Sequence, residues 1–260
     1  MMDSRNTLRL YEDLSWIFPI FTPIEHYLQE TEEFSRLIQQ QAHRPVETLL
    51  HLGCGAGHND FTFKRFFRVT GIDSSRAMIE LARKLNPEVD YGIGDLRTVK
   101  LDRRFDAVTA IDSLDYLLTP DDWQAACATA FHHLNPGGVF FFLVEATRED
   151  FEQNRCSVWR SVRGEVEIVT LENCYDPDPE DTTYETTFVH LIRRAGKLDV
   201  QTDIHTCGLF PARFIEDKLR EAGLDARRLE YRPPPSAVQA YSSGPCGKEC
   251  YVLLLGLKPI

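Results

Sequence analysis

The sequence predicts an α/β fold: a doubly wound, mostly parallel seven-stranded sheet carrying an inserted antiparallel β meander. Three observations predict it. Short apolar runs alternate with helical segments from about residue 46 to 145. A glycine-rich loop follows the first run. After Glu145 the alternation gives way to long β segments joined by turn residues.

Taken in order, Glu47 to Leu52, Val69 to Ile72, Val89 to Ile93, Phe105 to Ile111 and Val139 to Val144 read as the parallel strands. Asp121-Asp-Trp123 opens a helix that runs through Ala126, Ala130 and Leu134. It stops at Asn135-Pro136-Gly137-Gly138, a stop-and-turn signal that feeds the next strand. Val162 to Leu171, Thr182 to Arg194 and Lys197 to Cys207 read as the meander, broken by Asp176-Pro-Asp-Pro-Glu-Asp181 and Ala195-Gly196. Pro211 to Ala222 then reads as a helix, and Tyr251 to Leu255 as a last, antiparallel strand.

A chain of 260 residues, 43% hydrophobic and 27% charged, is long enough for one large core, so a single domain is expected. The net charge of −11 opposes binding to a phosphate backbone. The basic pairs Arg193-Arg194 and Arg227-Arg228 read as solvated faces. The start of the chain lacks an apolar stretch flanked by basic residues, and the longest apolar run, Val139 to Val144, is too short to cross a bilayer, so a cytoplasmic protein is expected. Seven scattered cysteines fit reduced thiols. Cys246 and Cys250, the only close pair, lack a second pair or a histidine at ligand spacing, so no metal is expected.

The loop Gly53-Cys-Gly55-Ala-Gly57 joins an apolar strand to a helix start, and alternate glycines let a ligand touch the main chain. A dinucleotide fingerprint needs G-x-G-x-x-G/A; here the last position is His58, which disfavours NAD. Downstream stand Val69-Thr-Gly-Ile-Asp73-Ser-Ser, Tyr91-Gly-Ile-Gly94-Asp95-Leu, Phe105 to Asp112, and Leu134-Asn-Pro-Gly-Gly138.

With these five segments in this order, residues 45 to 145 resemble the core motifs of the class I methyltransferases, a Rossmann-like family that uses S-adenosylmethionine. The insertion, together with Tyr11-Glu-Asp-Leu-Ser-Trp16, resembles the layout of bacterial small-molecule N-methyltransferases, including those that dimethylate nucleotide-linked amino sugars; there a tyrosine-bearing helix covers the pocket. The resemblance implies that Gly53, Gly55 and Gly57 cradle the methionine part of the cofactor, that Asp73 accepts from both ribose hydroxyls, and that Asp95 and Leu96 address adenine. Cys54, Ser74, Gly94 and Ile111 complete the expected set. Met78 reads equally as an adenine contact or as core, and Ser75 as the cap of its helix. Such loops usually begin with an acid; His51 stands there and reads as a strand-end histidine satisfied by backbone.

Residues 1–44 are then expected to form covering helices, 45–145 the cofactor-binding core, 151–208 a β insertion roofing the cleft, and 209–260 the return to the sheet. Candidate acid–base groups are Tyr11, Asp112, Asp115, Tyr116, Glu145 and His205; Asp112, just past the fourth strand, and Tyr11 are chosen. Ile111-Asp-Ser-Leu-Asp-Tyr116 lacks the Asn/Asp-Pro-Pro-aromatic motif of enzymes that methylate nucleic-acid bases. The expected activity is methyl transfer to a small molecule, on nitrogen rather than oxygen, by a monomer or homodimer without nucleic-acid or membrane partners. The alternatives are a non-catalytic binder of S-adenosylmethionine or S-adenosylhomocysteine, and an NAD-dependent oxidoreductase.

Overall fold

The computed structural model describes residues 8–232 and 251–260. The N-terminal segment holds 3₁₀ turns at Arg9–Tyr11, Ser15–Ile17 and Ile24–His26 and the helices α1 (Phe18–Phe21) and α2 (Leu28–Gln41). Then follow β1 (Thr48–Leu52), α3 (His58–Phe63), β2 (Arg68–Asp73), α4 (Arg76–Leu85), β3 (Asp90–Ile93), β4 (Phe105–Ile111), α5 (Pro120–His133) and β5 (Leu134–Leu143). The insertion is β6 (Arg155–Arg163), β7 (Val166–Tyr175), β8 (Thr183–Arg194) and β9 (Lys197–Gly208). The chain returns through α6 (Ala212–Glu221), β10 (Asp225–Tyr231) and β11 (Tyr251–Leu257).

Seven strands form one sheet in the order β10-β11-β5-β4-β1-β2-β3, with β11 antiparallel to both its neighbours. β4 is buried along its whole length, so its apolar residues fall on both of its faces. On β5 successive side chains face opposite sides: Phe140 and Phe142 pack with Trp123, Ala130 and Leu219, whereas Phe141 packs with Phe34, Phe63 and Leu255. α4 begins where the Ser75 hydroxyl accepts the Met78 N–H at 3.1 Å. α5 begins with Thr119 accepting from the Asp122 N–H and with Pro120 in its first turn. The strand order turns back on itself between β1 and β4, so a crevice opens beyond their carboxyl ends.

The four inserted strands form a second sheet in sequence order, β6-β7-β8-β9. Its alternating inner face packs Trp159, Ile168, Phe188 and Ile192 against Leu10, Leu14, Ile17 and Phe21 of the N-terminal segment. This small core joins that segment to the inserted sheet.

Several expectations are corrected. Val162 to Leu171 is not one strand: Gly164, at φ +60°, turns the chain into the β6–β7 hairpin, so the meander has four strands. The stretch Asn135-Pro136-Gly137-Gly138 ends α5 as expected but lies inside β5, whose register with β4 shifts between Phe105 and Ala107. β10 was not anticipated, because an edge strand with exposed Arg227 and Arg228 reads as a solvated face. The segment Tyr11 to Trp16 forms 3₁₀ turns rather than a helix, since Glu12 takes non-helical dihedrals (φ −124°, ψ −105°). Cys246, Cys250 and Pro233 to Pro235 lie outside the described residues. No described helix is long and apolar enough to cross a membrane.

Candidate active site

The loops after β1, β2, β3 and β4 and the N-terminal segment enclose a cavity of about 420 Å³. Its floor is set by the glycine loop. Gly55 takes φ +52°, and a β-carbon there would meet nothing within 4 Å, so this position opens directly onto the cavity. Gly57 does not line it: a β-carbon there would lie 2.6 Å from the Tyr91 hydroxyl and 2.7 Å from the Asn86 side chain, so that glycine serves helix packing. Of the three glycines expected to cradle a ligand, Gly53 and Gly55 face the cavity.

Asp73, at the end of β2, accepts the Gly55 N–H on Oδ2 and the Ser75 N–H on Oδ1, each at 2.8 Å. Each oxygen keeps a second lone pair for a ligand hydroxyl. Burial pushes this carboxyl above its ordinary range, and the two N–H groups hold it partly down. Cys54, Ser74, Gly94, Leu96 and Ile111 also line the cavity. So does Asp95, whose carboxylate is already gripped by Arg97 at 2.6 Å, a contact that lowers its pKa. Met78 is a correction: it is fully buried beneath the cap of α4 and does not reach the cavity, because its position on the amphipathic helix faces the core.

His51 meets a carboxylate rather than backbone on one ring nitrogen, while its buried Nε2 has no hydrogen-bond partner among the described residues. Its Nδ1 meets Asp60 Oδ1 at 2.7 Å, while the Tyr91 hydroxyl donates to Asp60 Oδ2 at 2.9 Å. Asp60 is completely buried. The acid missing from the start of the loop is thus supplied from α3, behind the imidazole; only the fold brings the two together.

The opposite wall is the N-terminal segment. Leu8, Tyr11, Glu12, Phe18 and Tyr27 face the cavity, and none of the described residues of β6 to β9 does. The insertion, expected as the roof, stands one layer back. Phe18 and Tyr27 flank His58, with ring centroids 5.3 and 5.1 Å from it, and burial pushes that imidazole down to about 4, leaving it neutral. Ser75 fastens the wall to the floor: its hydroxyl donates to the Tyr11 carbonyl.

Asp112 and Tyr11 meet in this cavity. Asp112 follows β4 in a left-handed conformation, φ +52°. Its side chain is exposed to the cavity, and desolvation by the surrounding walls, then Asp115, Glu30 and Glu145, raise its pKa above the ordinary range. Tyr11 shares a 2.7 Å hydrogen bond with Tyr116, whose hydroxyl meets His205 Nδ1 at 2.8 Å. Two other candidates turn away. Glu145 pairs with Arg155, and Asp115 accepts the Glu145 N–H. Glu145, Glu172 and Cys174 have ligand atoms within 4.8 Å of one another, but Arg155 already brings a positive charge to that cluster.

Such a crevice, walled by a glycine loop and an acid at the end of the second strand, is the arrangement of the class I methyltransferase fold. Residues 49–138 match the family described as "Methyltransferase domain". A curated relative, the dTDP-3-amino-3,4,6-trideoxy-alpha-D-glucopyranose N,N-dimethyltransferase of Streptomyces venezuelae, is 34% identical over 44% of this chain and 48% of its own length. The chain thus spans about half the length of that relative; a second, from Saccharopolyspora spinosa, a dTDP-4-amino-2,3,4,6-tetradeoxy-D-glucose N,N-dimethyltransferase, is 36% identical over 36% of this chain and 39% of its own. Among solved structures, Streptomyces venezuelae DesVI superposes with a TM-score of 0.78 at 24% identity, covering 95% of this chain and 98% of that one. CalS10, an amino pentose methyltransferase of Micromonospora echinaspora solved with S-adenosylmethionine bound, gives 0.74 at 21%, covering 89% and 91%.

Proposed function

We propose that this chain transfers methyl groups from S-adenosylmethionine to the nitrogen of a small-molecule amine. One observation carries the reading: the Gly55–Asp73 cradle and the side chains of Tyr11 and Asp112 open onto the same cavity. The cofactor's sulfonium supplies an already activated methyl group. Gly53, Gly55 and Asp73 hold the cofactor by main-chain approach and by the free lone pairs of the carboxylate, with Cys54, Ser74, Gly94, Leu96 and Ile111 shaping the rest of its bed. Asp112 lines the cavity beside Tyr11, where its side chain orients the acceptor amine. Tyr11 presents its phenol to the acceptor from the covering wall. Positioning then carries most of the catalysis.

The acceptor class proposed is an amino sugar, the class named for both curated relatives. On this reading the protein works in the cytoplasm, as a monomer or homodimer. The test is incubation with methyl-labelled S-adenosylmethionine and dTDP-3-amino-3,4,6-trideoxy-α-D-glucopyranose, followed by mass spectrometry for the mono- and dimethylated sugars. If S-adenosylhomocysteine never exceeds the protein-free blank, with this sugar or with a bacterial metabolite extract, the reading is wrong.

A further inference from the structure

Behind Tyr11 runs a continuous chain of polar atoms. The Tyr11 and Tyr116 hydroxyls are 2.7 Å apart, Tyr116 and His205 Nδ1 are 2.8 Å apart, and His205 Nε2 and Asp203 Oδ2 are 2.9 Å apart. Asp203 and His205 alternate onto one buried face of β9 and are 0% and 2% exposed. The Leu10 N–H donates to the same Asp203 oxygen at 2.6 Å, tying the chain to the covering wall. The rings of Phe188 and Tyr11, with centroids 5.1 and 5.4 Å away, fix the imidazole plane.

We propose that Asp203, His205 and Tyr116 are positioning residues that make the Tyr11 oxygen a hydrogen acceptor and conduct a proton from the acceptor amine to His205. This rests on the methyl-transfer reading above. The direction follows from the one group that only accepts. The Asp203 carboxylate takes the Nε2–H of a neutral imidazole, which leaves Nδ1 with a lone pair. Tyr116 fills that lone pair with its own hydrogen, so its oxygen accepts from Tyr11. The Tyr11 oxygen then turns a lone pair toward the cavity, where an N–H fits and a carbonyl does not.

The step balances. An amine arriving as ammonium loses its N–H proton to the Tyr11 oxygen, the Tyr11 hydrogen passes to Tyr116, and the Tyr116 hydrogen passes to Nδ1. The nitrogen keeps its electron pair and forms the new N–C bond, while the pair of the broken S–C bond stays on sulfur. The ammonium's positive charge ends on His205 beside Asp203, and the sulfonium's passes to the methylated nitrogen. Burial raises the pKa of both tyrosines, so they pass the proton without ionising. The other groups facing the chain fit this placement. His190, pushed down to about 4 by burial, and the Cys207 thiol, pushed up by burial, are uncharged. Arg9, held charged first by its hydrogen bond to Asp13, also feels Asp203; Asp73 and Tyr27 face Tyr11, and Asp115 faces Tyr116.

Nitrogen NMR of protein labelled with ¹⁵N-histidine tests the direction without any acceptor, His205→Gln identifying the signal. The expected result is a neutral imidazole at pH 8 protonated on Nε2, whose Nδ1 signal moves in Tyr116→Phe and whose tautomer reverses in Asp203→Asn. A neutral ring protonated on Nδ1, a ring still doubly protonated at pH 9, or an Nδ1 signal unmoved in Tyr116→Phe overturns the proposal. If methyl transfer is established, the pH profile gives a second reading. Tyr116→Phe is expected to lower kcat about 10-fold to 100-fold near pH 7, with a smaller change in acceptor KM, and to approach wild type as free amine becomes abundant at higher pH. A wild-type profile in that variant overturns the proposal, whereas a wild-type protein that transfers no methyl overturns only the functional reading and leaves the NMR result to decide this one.

Discussion

The larger sheet lines the cavity through four of its loops; the smaller sheet touches none of it among the described residues, yet reaches it through two tyrosines. The first works with what loops carry locally: a glycine main chain, and an aspartate whose partners lie within twenty residues of it. The second works through contacts between residues 11, 116, 203 and 205, which come from three separate parts of the chain. On the proposed reading, cofactor binding and acceptor handling are separable by mutation, the first assigned to the floor and the second to the covering wall and what stands behind it.

The sharpest test of that division is Asp112→Asn, at the junction of the two. Turnover is expected to fall by about 10²-fold, within the range for a group that handles a proton or orients the reacting centre, while calorimetric affinity for S-adenosylhomocysteine stays as in wild type. Loss of affinity instead would put Asp112 with the floor. Next in size is Asp73→Ala, which removes charged hydrogen bonds of roughly 1.5 to 3 kcal/mol and should raise the S-adenosylhomocysteine dissociation constant by about 10-fold to 150-fold. Unchanged affinity would remove the ribose assignment.

The smallest effect concerns stability and belongs to the second sheet. Burial, then Glu145, pushes the Glu172 carboxyl up to about 8, against an ordinary value of 4.5. Between those two pH values the folded protein holds a proton that the unfolded chain has released, so stability falls as pH rises through that window. Glu172→Gln should leave the melting temperature unchanged at pH 4 to 5 and raise it by ~2–4 °C at pH 9. A melting curve that responds equally at both pH values would place the effect elsewhere.

The same division governs what the sequence reveals. The larger sheet is legible because burial puts apolar residues on both faces of β4 and makes residues 139–143 of β5 a continuous apolar run, and because a turn that needs positive φ leaves glycines at 53 and 55. Ser75 is legible as a cap because capping is a contact between neighbours. The pairing of His51 with Asp60 and the placing of His205 on Tyr116 are not, since each depends on tertiary packing rather than spacing. Met78 was ambiguous in sequence for a related reason: an apolar residue one turn into a helix has the same signature whether it meets core or ligand. The β6–β7 hairpin is hidden in sequence because its turn is only two residues, Gly164 and Glu165, between strands that themselves carry charged side chains.

The left-handed backbone at Asp112 sets a limit on how its position can drift and how it can be probed. Asn and Gly adopt that conformation readily, whereas Ala and the β-branched residues pay roughly 1–2 kcal/mol for it. An alanine scan would therefore report backbone strain and lost chemistry as one number. Among relatives of this chain in which the carboxylate is not needed, the position should slide to asparagine or glycine before anything bulkier, so that its residue type records the shape of the loop whatever the chemistry.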